Sequence, residues 1–146
     1  MKIENRRIHI AIFLFLLISF GVSLVGISFG STTKSKLPKD IIDTLLKSKK
    51  PFVIDFYADW CPPCQAMIPI MEELEKKYKG RVEIVRVNVD LSQNRSLVMN
   101  YRVVSIPTFV FINRKGEVSN IIIGYREMEV MENEFRKLLQ QGKSSK

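Results

Sequence analysis

The chain has 146 residues, 46% hydrophobic and 26% charged, with 23 Lys and Arg against 15 Asp and Glu for a formal net charge of +8. That length suits one domain plus an appendage, and the apolar content excludes a disordered chain. Two cysteines exclude a disulfide-built scaffold. Opposite charges are interspersed, as in Arg114-Lys115-Gly116-Glu117, which reads as solvated surface and argues against nucleic acid as a partner.

Lys2, Arg6 and Arg7 precede an uncharged apolar run from Ile10 to Phe29. At about 1.5 Å per helical residue such a run covers about 30 Å, the thickness of a bilayer's hydrocarbon core. Residues 1–30 are therefore expected to be a hydrophobic helix, either an anchor that holds the chain in a membrane through residues 10–29 or a signal peptide cleaved near Gly30. Either outcome places the remainder of the chain on the extracytoplasmic side, anchored in the first case and secreted or periplasmic in the second. Residues 31–36 read as a linker, 37–140 as the folded domain and 141–146 as a mobile polar tail.

Within the domain, Pro38 opens a helix whose Ile41, Ile42, Leu45 and Leu46 are spaced to cover one face. Residues 51–57 form an apolar, β-branched strand in which Phe56 and Tyr57 are expected in the core. It turns at Asp59-Trp60, and a second helix runs from about Pro62 to Lys79, stopped by Gly80. Met67, Ile68, Met71 and Leu74 repeat along it as a core stripe, and Pro69 lies inside it. Val82–Val89 alternates as a strand, and residues 90–101 carry a helical pattern. Thr108–Ile112 and Val118–Ile123 form a hairpin around Arg114-Lys115-Gly116, and Glu127–Leu139 closes the domain as an amphipathic helix bearing Val130, Met131, Phe135, Leu138 and Leu139. The order α β α β α β β α predicts an α/β fold with a mixed sheet covered on both faces.

The cysteines fall at one junction, Cys61-Pro62-Pro63-Cys64, where the apolar strand gives way to the second helix. Unpaired backbone N–H groups and the dipole of a helix N-terminus favour negative charge, and hence the thiolate of Cys61. Cys64, one turn on, can reach back and close a short disulfide. Pro63 suits a first helical turn because its missing N–H would be orphaned there, and Pro62 removes another donor. A zinc site needs about four protein ligands, and the domain offers no further cysteine and no histidine, since His9 precedes the apolar run. No Cys-His hydrolase can be built either, so any proton carrier must be a carboxylate or water. Asp55, set in the apolar strand, is the candidate, because desolvation raises a carboxyl's pKa. Asp59 is expected to be exposed at the turn.

With Asp55 before the cysteines, Trp60 beside them, Pro69 in the helix and Ser105-Ile106-Pro107-Thr108 further on, the chain resembles the thioredoxin superfamily from about Leu37 to Leu139. Arg86 stands where that family often has lysine, and Gly116 and Gly124 fall where it places glycines. The resemblance implies a thioredoxin fold and a thiol–disulfide oxidoreductase with no organic cofactor. It implies Cys61 as attacking thiolate, Cys64 as resolving thiol and Asp55 as proton carrier. A cis bond before Pro107 is implied as well, with Trp60, Pro62, Pro63, Ile106 and Pro107 forming the docking surface for substrate. Partners implied are disulfide-containing proteins and an upstream thiol/disulfide electron donor or acceptor. Without a histidine between the cysteines to stabilise a thiolate, reduction or electron relay is favoured over strong oxidation. The short stretch between Cys61 and Pro107 favours general thiol reduction over the reduction of apocytochromes by tethered relatives. A tethered chaperone or assembly module whose cysteines are dispensable is the alternative.

Overall fold

The structure, a computed structural model, describes residues 36–141. The apolar run 10–29, the linker through residue 35 and the tail beyond 141 lie outside these residues, so the expected anchor or signal peptide is not among them. Among the described residues no helix is long and apolar enough to cross a membrane.

Helix α1 (Pro38–Ser48) starts with Pro38 in its first turn and ends where Lys49 turns left-handed at φ 53°, its N–H reaching back to the last carbonyls. It buries Ile42 and Leu45 under the sheet. The expected apolar face is narrower than its sequence pattern. Ile41 is half-buried and Leu46 is exposed at the rim, where its side chain fills the space beside Gly116 that a Cβ would need.

Strand β1 (Phe52–Tyr57), helix α2 (Pro62–Tyr78), strand β2 (Glu83–Asn88), a short 3₁₀ turn (Ser92–Asn94), helix α3 (Arg95–Asn100), the hairpin strands β3 (Thr108–Ile112) and β4 (Val118–Ile123), and helix α4 (Met128–Gln140) come next in order. The strands form one sheet in the order β2-β1-β3-β4. β1 runs parallel to β2 and antiparallel to β3, and β3 pairs antiparallel with β4. The predicted mixed sheet is therefore present, with β1 at its centre.

Period-two alternation sorts the central strands between two cores. Val53, Phe109, Phe111 and Ile122 pack with Met67, Met71, Leu74 and Tyr78 of α2 and with Met131, Phe135 and Leu138 of α4. Phe52, Ile54, Phe56, Val85, Val87, Val110 and Ile112 face the other way, onto Ile42 and Leu45 of α1 and Leu97 of α3. β1 is buried on both faces, which is why its sequence is a continuous apolar run. Three further side chains expected in the core are outside it. Tyr57 is half-buried at the strand end, while Ile68 and Val130 are exposed. On α2 the buried stripe is Met67, Met71, Leu74 and Tyr78, and Ile68 lies about 100° round the helix from Met67. Val130 likewise sits outside the Met131–Phe135–Leu138 stripe of α4.

Candidate active site

The C-terminal ends of β1, β2 and β4 and the start of β3 meet at one edge of the sheet, because β3 runs antiparallel to its neighbours. Everything chemical in the domain collects there. Leaving β1, the chain makes a tight turn closed by the Cys61 N–H to the Ala58 carbonyl at 3.2 Å, and α2 begins. Cys61 is the N-cap, with extended backbone angles. Pro62 and Pro63 fill the first two helical positions, so the first amide able to donate is that of Cys64. It points at the Cys61 sulfur, 3.2 Å away.

Cys61 and Cys64 are joined as a disulfide, their Cα atoms 5.2 Å apart. Both residues are buried, against Ala58 and under Tyr57, Val89 and Ile106. Pro62 and Pro63 are exposed beside them. The Ile106–Pro107 peptide bond is cis, as the resemblance implied. Ile106 packs on the disulfide from a distant part of the sequence. Among the described residues no main-chain hydrogen bond engages the amide or carbonyl of Ile106, whereas the Pro107 carbonyl accepts from the Gly124 N–H at 2.8 Å.

Asp55 lies on the α2 face of β1, behind the cysteines, and is 7% exposed. Its carboxyl borders a cavity of about 310 Å³ lined also by Tyr57, Asp59, Cys64, Gln65, Ile68 and Arg86. Burial pushes the Asp55 carboxyl up to about 6, the Arg86 guanidinium opposing this and only partly offsetting it. The sequence expectation of a desolvated acid holds.

Trp60 is 67% exposed. It is not adrift, since its indole N–H donates to the Asp90 carboxylate at 2.7 Å. The same loop is tied further by Asn88, whose amide donates to the Asp59 carboxylate at 3.1 Å and whose side-chain oxygen accepts the Asp90 N–H. Gln65 closes the loop from the helix side by donating to the Asp59 carbonyl. Asp59 is exposed as expected, but its place in this network was not legible, because its partner Asn88 lies on another strand. Asp90 was missed for the same reason, whereas Gln65 and Ile68 share the helix of Cys64 and were missed because helical spacing assigned Ile68 to the core and gave Gln65 no role. Among the described residues no three His, Cys, Asp or Glu side chains gather as a metal site requires.

A buried carboxyl behind a helix-capping Cys-x-x-Cys, with a cis-proline loop packed on the disulfide, is one constellation drawn from three separate segments. The family model for thioredoxin matches residues 32–137. The chain belongs to the thioredoxin family. Among relatives, a thiol:disulfide interchange protein TxlA homolog of Synechocystis is 34% identical over 84% of this chain and 66% of its own length. The chloroplastic thioredoxin-like protein HCF164 of Arabidopsis thaliana is 35% identical over 68% of this chain and 37% of its own. A thioredoxin of Rickettsia felis is 33% identical over 66% of this chain and 86% of its own. Among solved structures, a chain from work on thiol resolution in yeast mitochondrial 1-Cys peroxiredoxin by glutathione/thioredoxin systems superposes with a TM-score of 0.59 at 30% identity. It covers 70% of this chain and 90% of its own. Against the first of these relatives the chain spans 66% of the length, and against HCF164 37%.

Proposed function

We propose that this thioredoxin-family chain is a thiol–disulfide oxidoreductase that reduces protein disulfides, or relays electrons to them, through Cys61 and Cys64. The observation that carries the reading is the Cys61–Cys64 disulfide at the mouth of α2, with the desolvated Asp55 carboxyl in the cavity beside Cys64. In the dithiol form, the Cys61 thiolate attacks one sulfur of a substrate disulfide. That bond breaks, a Cys61–substrate disulfide forms, and the other substrate sulfur leaves as a thiolate that takes up a proton. Cys64 then attacks the Cys61 sulfur while Asp55 receives its proton. As the Cys61–Cys64 bond closes, the Cys61–substrate bond breaks, the second substrate sulfur leaves as a thiolate and takes up the proton from Asp55, and the substrate departs as a dithiol, having gained two electrons. An upstream dithiol donor must return those electrons.

Substrate would dock as an extended segment across Trp60, Pro62, Pro63, Ile106 and Pro107, with the unpaired main chain of Ile106 available for strand-like hydrogen bonds. The reducing sense is supported by the two prolines. They leave a single helix-terminal amide directed at the Cys61 sulfur and place no histidine beside it, so the thiolate of the reduced form is only modestly stabilised.

The same proposal holds the domain at the outer face of a membrane through residues 10–29, supported by an uncharged run long enough to span and by the cations before it. Cleavage near Gly30 would release it instead, and extraction of membranes with alkaline carbonate separates the two.

The test is the equilibrium potential of the Cys61–Cys64 pair in the full-length chain, titrated against glutathione and dithiothreitol. A value near that of thioredoxin, about −270 mV, is expected. A value near about −120 mV would reverse the direction of electron flow. Failure to titrate reversibly would overturn the enzyme and leave the binding module, in which Cys61→Ser keeps its function in cells.

A further inference from the structure

The edge of the sheet that carries the disulfide is electrically polarised. On its β1–β2 side stand Asp90, which holds the Trp60 indole, and Asp59, which follows β1 and accepts from Asn88 at the end of β2, both exposed. At its β4 end stands Arg126. One contact anchors the turn before that arginine, and two of its own fix it in place. The Gly124 N–H bonds the carbonyl of Pro107, the Arg126 N–H lies 3.4 Å from the Met67 sulfur of α2, and the guanidinium folds back to donate to the Tyr125 carbonyl at 2.7 Å. Its head therefore lies beside Gly124, next to the cis-proline loop. Among the described residues no carboxylate comes within ion-pair distance of it, neighbouring Glu127 included. A guanidinium has five N–H donors, so most of its hydrogen-bonding capacity faces solvent.

Neighbouring strands are about 4.8 Å apart, so the ends of β2 and β4, three spacings apart in the order β2-β1-β3-β4, are separated by about 14 Å. The disulfide and Ile106 lie between them. An extended segment with its cysteine over the disulfide and charges two residues to either side spans about 13 Å between those charges, with both on one face. That span is comparable to the spacing of the strand ends that Asp90 and Arg126 follow.

We propose that Arg126 and the Asp59/Asp90 pair form a dipolar docking groove that selects protein segments carrying a carboxylate on one side of the reactive cysteine and a cation on the other. The carboxylate sits against Arg126 and the cation against the two aspartates. This rests on the exchange reading above and names the substrate class of the same site. Exposed complementary charges act chiefly on association, so the selection appears in the rate of capture and weakens with salt.

The experiment uses two peptides of identical composition, each a cysteine activated as a 2-pyridyl disulfide. One has Glu two residues before the cysteine and Lys two after, and the other has the reverse order. Reduced full-length protein attacks the cysteine sulfur, the peptide–pyridyl bond breaks, and pyridinethione is released and read by absorbance. One order is expected to react at least about fivefold faster at low ionic strength, with the ratio approaching one in 0.5 M salt. In Arg126→Glu both ends of the groove are acidic, and the ratio collapses to one. Because each ratio compares two peptides on one protein, a general change in folding or thiol reactivity cancels. Equal rates on the native chain, or a preference that survives Arg126→Glu or high salt, overturn the groove. No release from either peptide overturns the exchange reading itself, and the groove with it.

Discussion

Asp55 and Arg86 are register partners on the parallel strands β1 and β2 and line the same cavity, yet no ion pair or hydrogen bond joins their side chains among the described residues. The carboxyl is thus desolvated by the strand it sits in and only partly compensated by the cation across from it. Its folded-state value of about 6 is above the unfolded value of 3.8. Between those values the folded chain binds more protons than the unfolded one, so stability falls as pH rises through about 4 to 6 and is flat above. Asp55→Asn removes the penalty. It is expected to raise unfolding stability by roughly 3 kcal/mol at pH 7.5 and by far less at pH 4, checked by urea denaturation at both.

The same substitution should damage turnover. With no acceptor for the Cys64 proton, the mixed disulfide formed by Cys61 should resolve on the order of 10²-fold more slowly above pH 6. Rapid acid quench and mass spectrometry would show it accumulating in Asp55→Asn. A more stable protein that resolves its intermediate at the native rate would remove Asp55 from the proton path.

Pro63→Ala restores a second amide to the first turn of α2, beside the Cys64 N–H that already points at the Cys61 sulfur. An added donor favours the thiolate of the reduced form. The redox potential is expected to move in the oxidising direction by about 10–30 mV, taking 30 mV as about 1.4 kcal/mol for a two-electron couple. A shift the other way would mean that the new amide bonds elsewhere.

Trp60→Ala deletes an exposed ring and its bond to Asp90. Stability should drop by no more than about 1 kcal/mol, since the bond is solvent-exposed. The KM for a protein disulfide should rise several-fold. Thermal denaturation and insulin reduction separate the two effects.

Phe135 of α4 is fully buried, with its ring 5.1 Å from that of Tyr78 and 6.0 Å from that of Phe111. Phe135→Ala is expected to cost about 3–5 kcal/mol in denaturant unfolding. The site lies at the sheet edge, so residual folded protein should keep its redox potential.

Local signals determined much of this protein. The central strand was legible as an unbroken apolar run, the helices as three- and four-residue spacings, and the hairpin as two runs around Gly116, because each rests on interactions within a few residues. The cysteines at a strand-to-helix junction, and a carboxyl stranded in an apolar strand, were local signals of the same kind for the proposed exchange chemistry. The tertiary structure decided the rest. Ile68, Leu46 and Val130 satisfy the helical spacing but lie outside the cores, since pattern cannot say how wide a face the sheet covers. The Asp59–Asn88–Asp90–Trp60 network, the meeting of Asp55 with Arg86, and the approach of Arg126 to the cis-proline loop join residues from separate strands. Those proximities depend on the strand order β2-β1-β3-β4 and on β3 running antiparallel. Spacing along a chain carries no measure of distance between its strands, and only the folded sheet supplies one.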